Sequence, residues 1–150
     1  MTEPVDVKRY LVLCTGNRCR SQMAHGWLEH LGGEAVVVDS AGTEPKGVHP
    51  VAVEVMKEAG IDIGDNTSDH VDDYAGNEYD VVITVCDDAR DACPTFPNAG
   101  RTVHQPFRDP DGQGEDVFRE VRDEIAVWAR EFLAGEGAGV IRDSFTGGGS

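Results

Sequence analysis

The sequence predicts a single α/β domain built on an open four-stranded parallel sheet with helices on both faces. Two observations lead to this fold class. Short apolar runs, such as residues 10–13 and 81–85, alternate with longer segments whose apolar residues recur every three or four positions. Uninterrupted apolar strands separated by helices are typical of a parallel sheet that is covered on both sides. A chain of 150 residues can bury the core of one such domain.

The apolar pattern also predicts the order of the elements. Strands are expected at four places, residues 9–14, 35–40, 80–85 and 102–107. Helices are expected at residues 20–31 and 50–60 and at the carboxyl end of the chain. Pro50 is a favoured first-turn residue, and Gly60 is a suitable helix end. The last helix carries five large apolar residues at helical spacing, which we expect to form its buried face: Val117, Val121, Ile125, Trp128 and Phe132.

The domain is expected to span residues 1–134. Residues 135–150 are rich in glycine and offer little that can pack, so we expect a disordered tail. The formal net charge of −15 argues against a nucleic-acid partner, because phosphate backbones require a basic surface. The sequence shows neither a signal peptide nor an apolar run of the roughly 20 residues that a membrane helix needs. We therefore expect a cytoplasmic, monomeric protein without membrane contact.

A cysteine-centred loop follows the first predicted strand. Residues 14–21 read Cys-Thr-Gly-Asn-Arg-Cys-Arg-Ser, and a helical pattern begins directly after them. Backbone N–H groups at a strand-to-helix junction form a concave site for phosphate-like anions. Arg20 adds a guanidinium fork that matches a pair of oxyanion oxygens. The sequence therefore predicts an anion-binding loop with a sulfur nucleophile at its base, formed by Cys14, Thr15, Gly16, Asn17, Arg18, Cys19, Arg20 and Ser21.

Cys14 can act as a nucleophile only as a thiolate, whereas a free cysteine thiol titrates at about 8.5. Arg20, the Ser21 hydroxyl and the positive end of the following helix would each favour the thiolate. The alternative is that Cys14 is a small buried hydrophobic residue at the end of a strand. Cys19 lies inside the loop, where we expect packing to be its main role.

Two further cysteines, Cys86 and Cys93, follow the third predicted strand. The carboxyl ends of parallel strands meet at one edge of the sheet, so Cys14 and Cys86 are expected there together. Cys86 could then attack Cys14, and Cys93 could attack Cys86, by thiol–disulfide exchange. Structural zinc sites place paired ligands about two to four residues apart, whereas six residues separate Cys86 from Cys93, so no structural zinc site is predicted for this pair. The alternative to a redox relay is that Cys86 and Cys93 are passive.

These features resemble the thioredoxin-coupled arsenate reductases, which are built on the low-molecular-weight tyrosine phosphatase fold. The resemblance extends from about Val7 to about Leu133 and is most specific at residues 14–24. Three further segments resemble parts of the family. Asp39–Thr43 resembles its second strand and loop, Cys86–Pro94 resembles its redox segment, and Asp109-Pro110 resembles its aspartate loop.

The resemblance implies a cycle of three cysteines. Cys14 would attack arsenate, Cys86 would attack Cys14 as two electrons pass to arsenic and arsenite leaves, and Cys93 would attack Cys86. Thioredoxin would then reduce the Cys86–Cys93 disulfide. Arg20 would hold the oxyanion, for which phosphate and sulfate are mimics. Asp109 would protonate the departing hydroxide, although by itself it is also an ordinary turn residue before a proline. No cofactor is implied.

One departure from the family concerns a potassium site. Potassium-binding members have a carboxylate on the first helix where this chain has His25. The other positions that resemble this site are Asn17, Ser40, Thr67 and Asp69. A neutral imidazole is a poor ligand for a hard monovalent cation, so no metal site is predicted.

A second departure separates this chain from the phosphatase relatives. They usually have proline after the loop serine and an aromatic residue after the aspartate–proline pair, whereas this chain has Gln22 and Asp111. A phosphatase that uses Cys14, Arg20 and Asp109 nevertheless remains one alternative function.

A redox-sensing regulator without turnover is another alternative. A third possibility is that a small thiol such as mycothiol or glutathione is the electron donor. Cys93 argues against it, because a second resolving cysteine is unnecessary when a small thiol does that work.

Overall fold

Four parallel strands form the centre of the protein. The computed structural model describes residues 7–85 and 99–135, which contain strands β1 (Lys8–Cys14), β2 (Val36–Gly42), β3 (Tyr79–Thr84) and β4 (Ala99–His104). The strands lie in the order β2-β1-β3-β4, and each adjacent pair is parallel. The α-helices of these residues are α1 (Arg20–Gly32), α2 (Pro50–Glu58) and α3 (Glu115–Gly135). The predicted fold class is confirmed.

The two faces of the sheet are covered differently. The face that carries Tyr10 and Val12 packs against buried residues of all three α-helices and forms the main core. The opposite face carries Leu11 and Leu13, which pack with Val71 from a short 3-10 helix at residues 71–74. Both faces of β1 are therefore buried, which is why this strand is apolar at successive positions rather than at alternate ones.

Strand β4 begins earlier than the sequence predicts. Its pairing with β3 starts at Ala99 rather than at position 102. A Cβ at Gly100 would lie 2.8 Å from the Asp80 carbonyl oxygen, so the start of the strand requires glycine. Glycine is depleted in strands, and the sequence pattern therefore missed this start. The strand was predicted to end at Phe107, whereas β4 ends at His104. The chain beyond β4 still follows its neighbour, because the Phe107 N–H donates to the Val85 carbonyl oxygen at 2.9 Å.

Helix α3 buries a different face from the predicted one. Val121 and Ile125 are fully buried, as predicted. The other three predicted core residues are only partly buried and pack at the margin of the core: Val117, Trp128 and Phe132. The fully buried face is completed by residues one position further along the chain, Phe118, Ala129 and Leu133. Large aromatic rings can cover the core while remaining partly exposed, and the Phe132 ring lies 5.2 Å from that of Tyr10.

Charged side chains link α3 to α2. The Arg119 guanidinium donates to both carboxylate oxygens of Glu58 at 2.9 Å, and Arg122 donates to the Val55 carbonyl oxygen at 2.9 Å. These contacts hold the first half of α3 beside α2. None of the helices within residues 7–85 and 99–135 combines the length and the apolar character needed to cross a membrane.

The carboxyl edge of the sheet brings the predicted site together. Cys14 is the last residue of β1 and pairs with Gly42, the last residue of β2. Beyond β3, the Val85 N–H donates to the Leu13 carbonyl oxygen at 3.0 Å. Cys86, which is bonded directly to Val85, lies outside the described residues, as do Cys93 and the predicted tail beyond position 135.

Replacement of Ile125 by alanine tests the position of the core. Ile125 is fully buried at the centre of α3, so Ile125→Ala should lower the free energy of unfolding by about 2–5 kcal/mol. Val127 lies on the same helix and is 52 % exposed, so Val127→Ala should change it by less than about 0.5 kcal/mol. Urea denaturation of both variants measures the difference, and equal midpoints would contradict the assigned core.

Candidate active site

A small cavity opens above the loop that joins β1 to α1. Its volume is about 220 Å³, which is less than that of pockets that hold drug-sized ligands. Asn17 turns the loop with a left-handed backbone angle, φ of 46°, which asparagine tolerates better than most residues. The described residues that line the cavity come from this loop and from two other segments: Cys14, Thr15, Gly16, Arg18, Cys19, Arg20, Lys46, Asp109 and Asp111.

Cys14 lies at the base of the cavity and is 2 % exposed. Its thiol donates to the Ser21 hydroxyl at 3.3 Å, and Ser21 donates in turn to Asn17 Oδ1 at 2.7 Å. The predicted contact between the serine hydroxyl and the sulfur is therefore present. Helix α1 begins immediately before this serine, and both a hydroxyl donor and the positive end of a helix stabilise a thiolate.

Arg20 is held at the cavity wall by contacts of its two terminal nitrogens. One terminal nitrogen donates to the Phe107 carbonyl oxygen at 3.1 Å, and the other lies 3.3 Å from Asp109 Oδ2. Its Nε is buried and has no hydrogen-bond partner among the described residues. A buried donor without a partner costs free energy. An oxyanion in the cavity would remove that cost by accepting from this nitrogen.

Asp109 stands at the rim of the cavity and is about half exposed. Its Oδ1 accepts a hydrogen bond from the Asp111 backbone N–H at 3.0 Å, which closes a tight turn. Asp111 then lies 2.9 Å from Arg18 Nε and 3.5 Å from His49 Nε2. These contacts tie the turn that carries Asp109 to the cysteine loop on one side and to the start of α2 on the other.

The end of β2 supports the loop from below. A Cβ on Gly42 would lie 2.5 Å from the Thr15 carbonyl oxygen, 2.8 Å from that of Cys14 and 2.9 Å from the Asn17 nitrogen. These atoms belong to the backbone and cannot move aside cheaply, so the position requires glycine. The chain after Gly42 continues the support, because the Glu44 N–H donates to the Thr15 carbonyl oxygen at 2.8 Å.

The charges around the cavity differ from those of the chain as a whole. Among the described lining residues, three cations, Arg18, Arg20 and Lys46, face two carboxylates, although the formal net charge of the chain is −15. The two arginines were predicted from the sequence, whereas Lys46 was missed. Lys46 reaches the cavity because its backbone N–H donates to the Gly16 carbonyl oxygen at 3.0 Å. No periodic or motif signal marks it, since it lies in an irregular segment.

Cys19 differs from Cys14 in its surroundings. It is 3 % exposed and packs into the main hydrophobic core, as predicted for a loop residue whose role is packing. Burial, followed by the negative charges of Asp111 and Asp109, raises the pKa of the Cys19 thiol to about 12. Cys19 is therefore a neutral thiol at physiological pH.

The residues that resemble a potassium site do not form one that fits a cation well. His25, Ser40, Thr67 and Asp69 line a common cavity behind the loop. His25 Nδ1 hydrogen-bonds the Ser40 hydroxyl at 2.8 Å, and Asp69 Oδ2 already accepts from Thr67 at 2.9 Å and from Tyr74 at 2.6 Å. Hard cations prefer oxygen ligands, and His25 presents a ring nitrogen to this cavity, so we assign no cation to it.

This fold and this loop define a family of proteins. The chain belongs to the low molecular weight phosphotyrosine protein phosphatase family, whose family model matches residues 9–142. Among members of this fold it is similar to proteins named as arsenate reductases. It is 45 % identical over 128 residues to arsenate reductase 1 of Staphylococcus saprophyticus, which covers 85 % of this chain and 98 % of that protein.

Two further proteins agree with this relationship. The arsenate reductase of Brevibacillus brevis is 47 % identical over 125 residues, or 83 % of this chain and 93 % of that protein. A solved structure described as an arsenate reductase in the phosphate binding state has a TM-score of 0.79 at 36 % identity and covers 86 % of this chain and 98 % of its own. The resemblance inferred from the sequence is confirmed for the family and the fold.

Gly42 allows a test of the support beneath the loop. Gly42→Ala should displace the loop, because overpacking against backbone costs about 1–3 kcal/mol. Phosphate binding measured by calorimetry should therefore weaken by about tenfold or more. Gly76→Ala is the matched control, because a Cβ at Gly76 meets nothing within 4 Å. Equal phosphate affinity in the two variants would contradict the assigned role of Gly42.

The protonation of Cys19 predicts its reactivity. Because its pKa is raised to about 12, Cys19 stays protonated from pH 7 to pH 9. It should react with iodoacetamide more than about a hundredfold more slowly than a free thiol that titrates at about 8.5. Peptide mass spectrometry after timed labelling measures this rate against glutathione in the same tube. Labelling of Cys19 at the rate of glutathione would show that burial does not raise the pKa of its thiol.

Proposed function

We propose that this protein reduces arsenate to arsenite with electrons from thioredoxin, through Cys14, Cys86 and Cys93. The observation that carries the proposal is the position of Cys14. Its sulfur lies at the base of an oxyanion-sized cavity beside Arg20, in a chain that is 44–47 % identical to named arsenate reductases. Thiol chemistry of this kind makes arsenical resistance the expected biological role.

Arsenate binding is the first step. Arsenate is a tetrahedral oxyanion like phosphate, and the structural relative in the phosphate binding state supports the same kind of ligand here. The donors that we assign to it are Arg20 Nε, which has no hydrogen-bond partner within the described part of the chain, and the backbone N–H groups of residues 15–21. Phosphate and sulfate would occupy the loop as mimics.

Cys14 then forms the covalent adduct. Its thiolate attacks arsenic, a sulfur–arsenic bond forms, and one arsenic–oxygen bond breaks so that hydroxide leaves. We assign to Asp109 the proton that converts this hydroxide to water, since its carboxyl group stands at the cavity rim beside Arg20. To serve as the acid, Asp109 must carry a proton when the adduct forms.

Two disulfide exchanges follow. The Cys86 thiolate attacks the Cys14 sulfur, the sulfur–arsenic bond breaks, and its electron pair reduces arsenic from the +5 to the +3 state, so that arsenite leaves. Cys93 then attacks Cys86 and releases the Cys14 thiolate. In support, Val85 is hydrogen-bonded to Leu13 at 3.0 Å, and these two residues directly precede Cys86 and Cys14.

The remaining disulfide joins Cys86 to Cys93 and must be reduced before the next cycle. We propose thioredoxin as the donor, because a second resolving cysteine is useful when the final disulfide is passed to a protein dithiol. Such a cycle requires a reducing compartment, so we place the protein in the cytoplasm. We also propose that residues 1–134 act as one monomeric domain with a tail at 135–150.

A phosphatase is the second candidate function, because Cys14, Arg20 and Asp109 would serve phosphoester hydrolysis as well. The family membership favours this alternative. Against it, none of the described residues that line the cavity is aromatic, so a phenyl ring would find no stacking partner among them.

The test follows NADPH oxidation with arsenate, thioredoxin and thioredoxin reductase. The wild type should turn over repeatedly, whereas Cys14→Ser and Cys86→Ser should lose more than about 99 % of this activity, because each removes a sulfur that the reaction needs. Cys93→Ser should release arsenite once and then stop, since it traps the Cys14–Cys86 disulfide.

Hydrolysis of a phosphate ester separates the candidates. For the proposed reductase, Cys86→Ser abolishes arsenate reduction and leaves any ester hydrolysis intact. Unchanged arsenate reduction in Cys86→Ser would overturn the cascade. Absence of multiple turnover in the wild type would instead support a redox-sensing regulator, and turnover with mycothiol or glutathione alone would replace thioredoxin as the donor.

A further inference from the structure

Gln22 is a buried polar residue that the proposed reaction does not use. It is completely buried at the start of α1. Its Nε2 donates to the carbonyl oxygens of Asn17 at 3.1 Å and Thr67 at 3.0 Å, and its Oε1 accepts from Asn66 Nδ2 at 3.1 Å. The amide is therefore fixed in one orientation, with its donor side toward the cysteine loop.

A further contact connects Gln22 to the sulfur. Gln22 Nε2 has two hydrogens, and the one that it directs at Asn17 is shared between the Asn17 carbonyl oxygen and Asn17 Oδ1, each 3.1 Å away. Asn17 Oδ1 is also the atom that accepts from the Ser21 hydroxyl at 2.7 Å. Ser21 in turn accepts from the Cys14 thiol at 3.3 Å. The four side chains form one continuous chain of hydrogen bonds that ends at Cys14. Asn17, Ser21 and Gln22 are each 0 % exposed, so water has no access to them.

Ionisation of Cys14 changes the hydrogen bonds that these side chains must make. A serine hydroxyl carries one hydrogen and can donate to one acceptor at a time. With a neutral thiol, Ser21 donates to Asn17. A thiolate has no hydrogen to give and needs a donor, so the Ser21 hydroxyl must turn to the sulfur. Asn17 Oδ1 then loses its Ser21 hydrogen bond in a buried position, where an unsatisfied acceptor is costly.

We propose that Gln22 is a positioning residue, which keeps Asn17 Oδ1 hydrogen-bonded while Ser21 donates to the Cys14 thiolate. Gln22 acts through Asn17 and Ser21 and touches neither the sulfur nor the oxyanion. The amide removes the cost that would otherwise accompany formation of the nucleophile. The inference rests on the proposed use of Cys14 as the nucleophile, but it concerns the resting enzyme and requires no arsenate.

Gln22→Met tests the inference, because methionine has a similar length and lacks the donor. The rate of Cys14 alkylation by iodoacetamide is measured against pH, with the labelled peptide identified by mass spectrometry. The midpoint of the profile should rise by about one pH unit, which corresponds to about 1.4 kcal/mol. An unchanged midpoint in a folded Gln22→Met protein would overturn the proposal.

The other groups that could set this midpoint stay the same in the variant. Of the residues that the structure describes, those that line the cavity are Arg18, Cys19, Arg20, Lys46, Asp109 and Asp111. Those behind the loop are His25 and Asp69, which contact Ser40 and Thr67. Leu133→Ala controls for lost stability alone. Leu133 is the neighbour of Phe132, whose ring contacts Tyr10 in the first half of β1, whereas Cys14 is the last residue of that strand. It should lower the melting temperature and leave the midpoint in place.

A double-mutant cycle separates positioning from general packing. Asn17→Gly suits the left-handed backbone and removes the Oδ1 that Gln22 satisfies. In that background, Gln22→Met should shift the midpoint by less than about a third of its effect in the wild type. Equal shifts in the two backgrounds would show that Gln22 acts through packing and would overturn the proposal.

Asn66→Ala provides the test if Gln22→Met does not fold. It removes only the donor that orients the Gln22 amide and should raise the midpoint in the same direction by a smaller amount. No shift in Asn66→Ala would then count against the proposal. Failure of arsenate reduction is a separate result, since a normal alkylation profile without arsenate turnover would disprove the reductase and leave the role of Gln22 standing.

Discussion

The close approach of β2 to the cysteine loop is the constraint on which the site depends. β1 and β2 remain paired up to Cys14 and Gly42, and the glycine leaves no room between its α-carbon and the loop carbonyls. The loop is therefore shaped by the sheet beneath it as well as by its own residues. The left-handed turn at Asn17 and the buried sulfur of Cys14 both lie in the part of the loop that rests against Gly42.

Charges close to the cavity matter more for anion binding than the net charge of the molecule. An acidic chain that binds an anion must overcome repulsion, but at physiological ionic strength exposed charges are screened beyond about 8 Å. Inside the cavity the Arg20 side chain, which is 13 % exposed, acts through a less polar medium than water. The local arrangement therefore decides which ions bind, while the overall negative charge has little influence on that choice.

The sequence predicted the parts of the site that are contiguous in the chain. Residues 14–21 form one loop, so their chemistry could be inferred from the order of the amino acids alone. Lys46 and His49 could not be found in this way, because their positions depend on the path of an irregular segment. Asp109 was found only through family resemblance, since an aspartate before a proline is common in turns.

The fold shows the same division. The succession of strands along the chain and the parallel sheet followed from continuous apolar runs, whereas the start of β4 depends on backbone crowding at Gly100, which carries no apolar signal. The buried face of α3 was misplaced because wide aromatic side chains reach the core from its margin. Sequence periodicity reports hydrophobicity, but it does not report how far a side chain can extend.

The ion pair at the rim bears on the size of the ligand that the cavity can admit. Arg18 and Asp111 meet across the mouth of a cavity large enough for a bare tetrahedral ion. An ester would have to leave its alcohol portion in solvent, where it adds little affinity. Loss of either partner of the Arg18–Asp111 pair would widen that mouth, while Cys14 would keep its contact with Ser21.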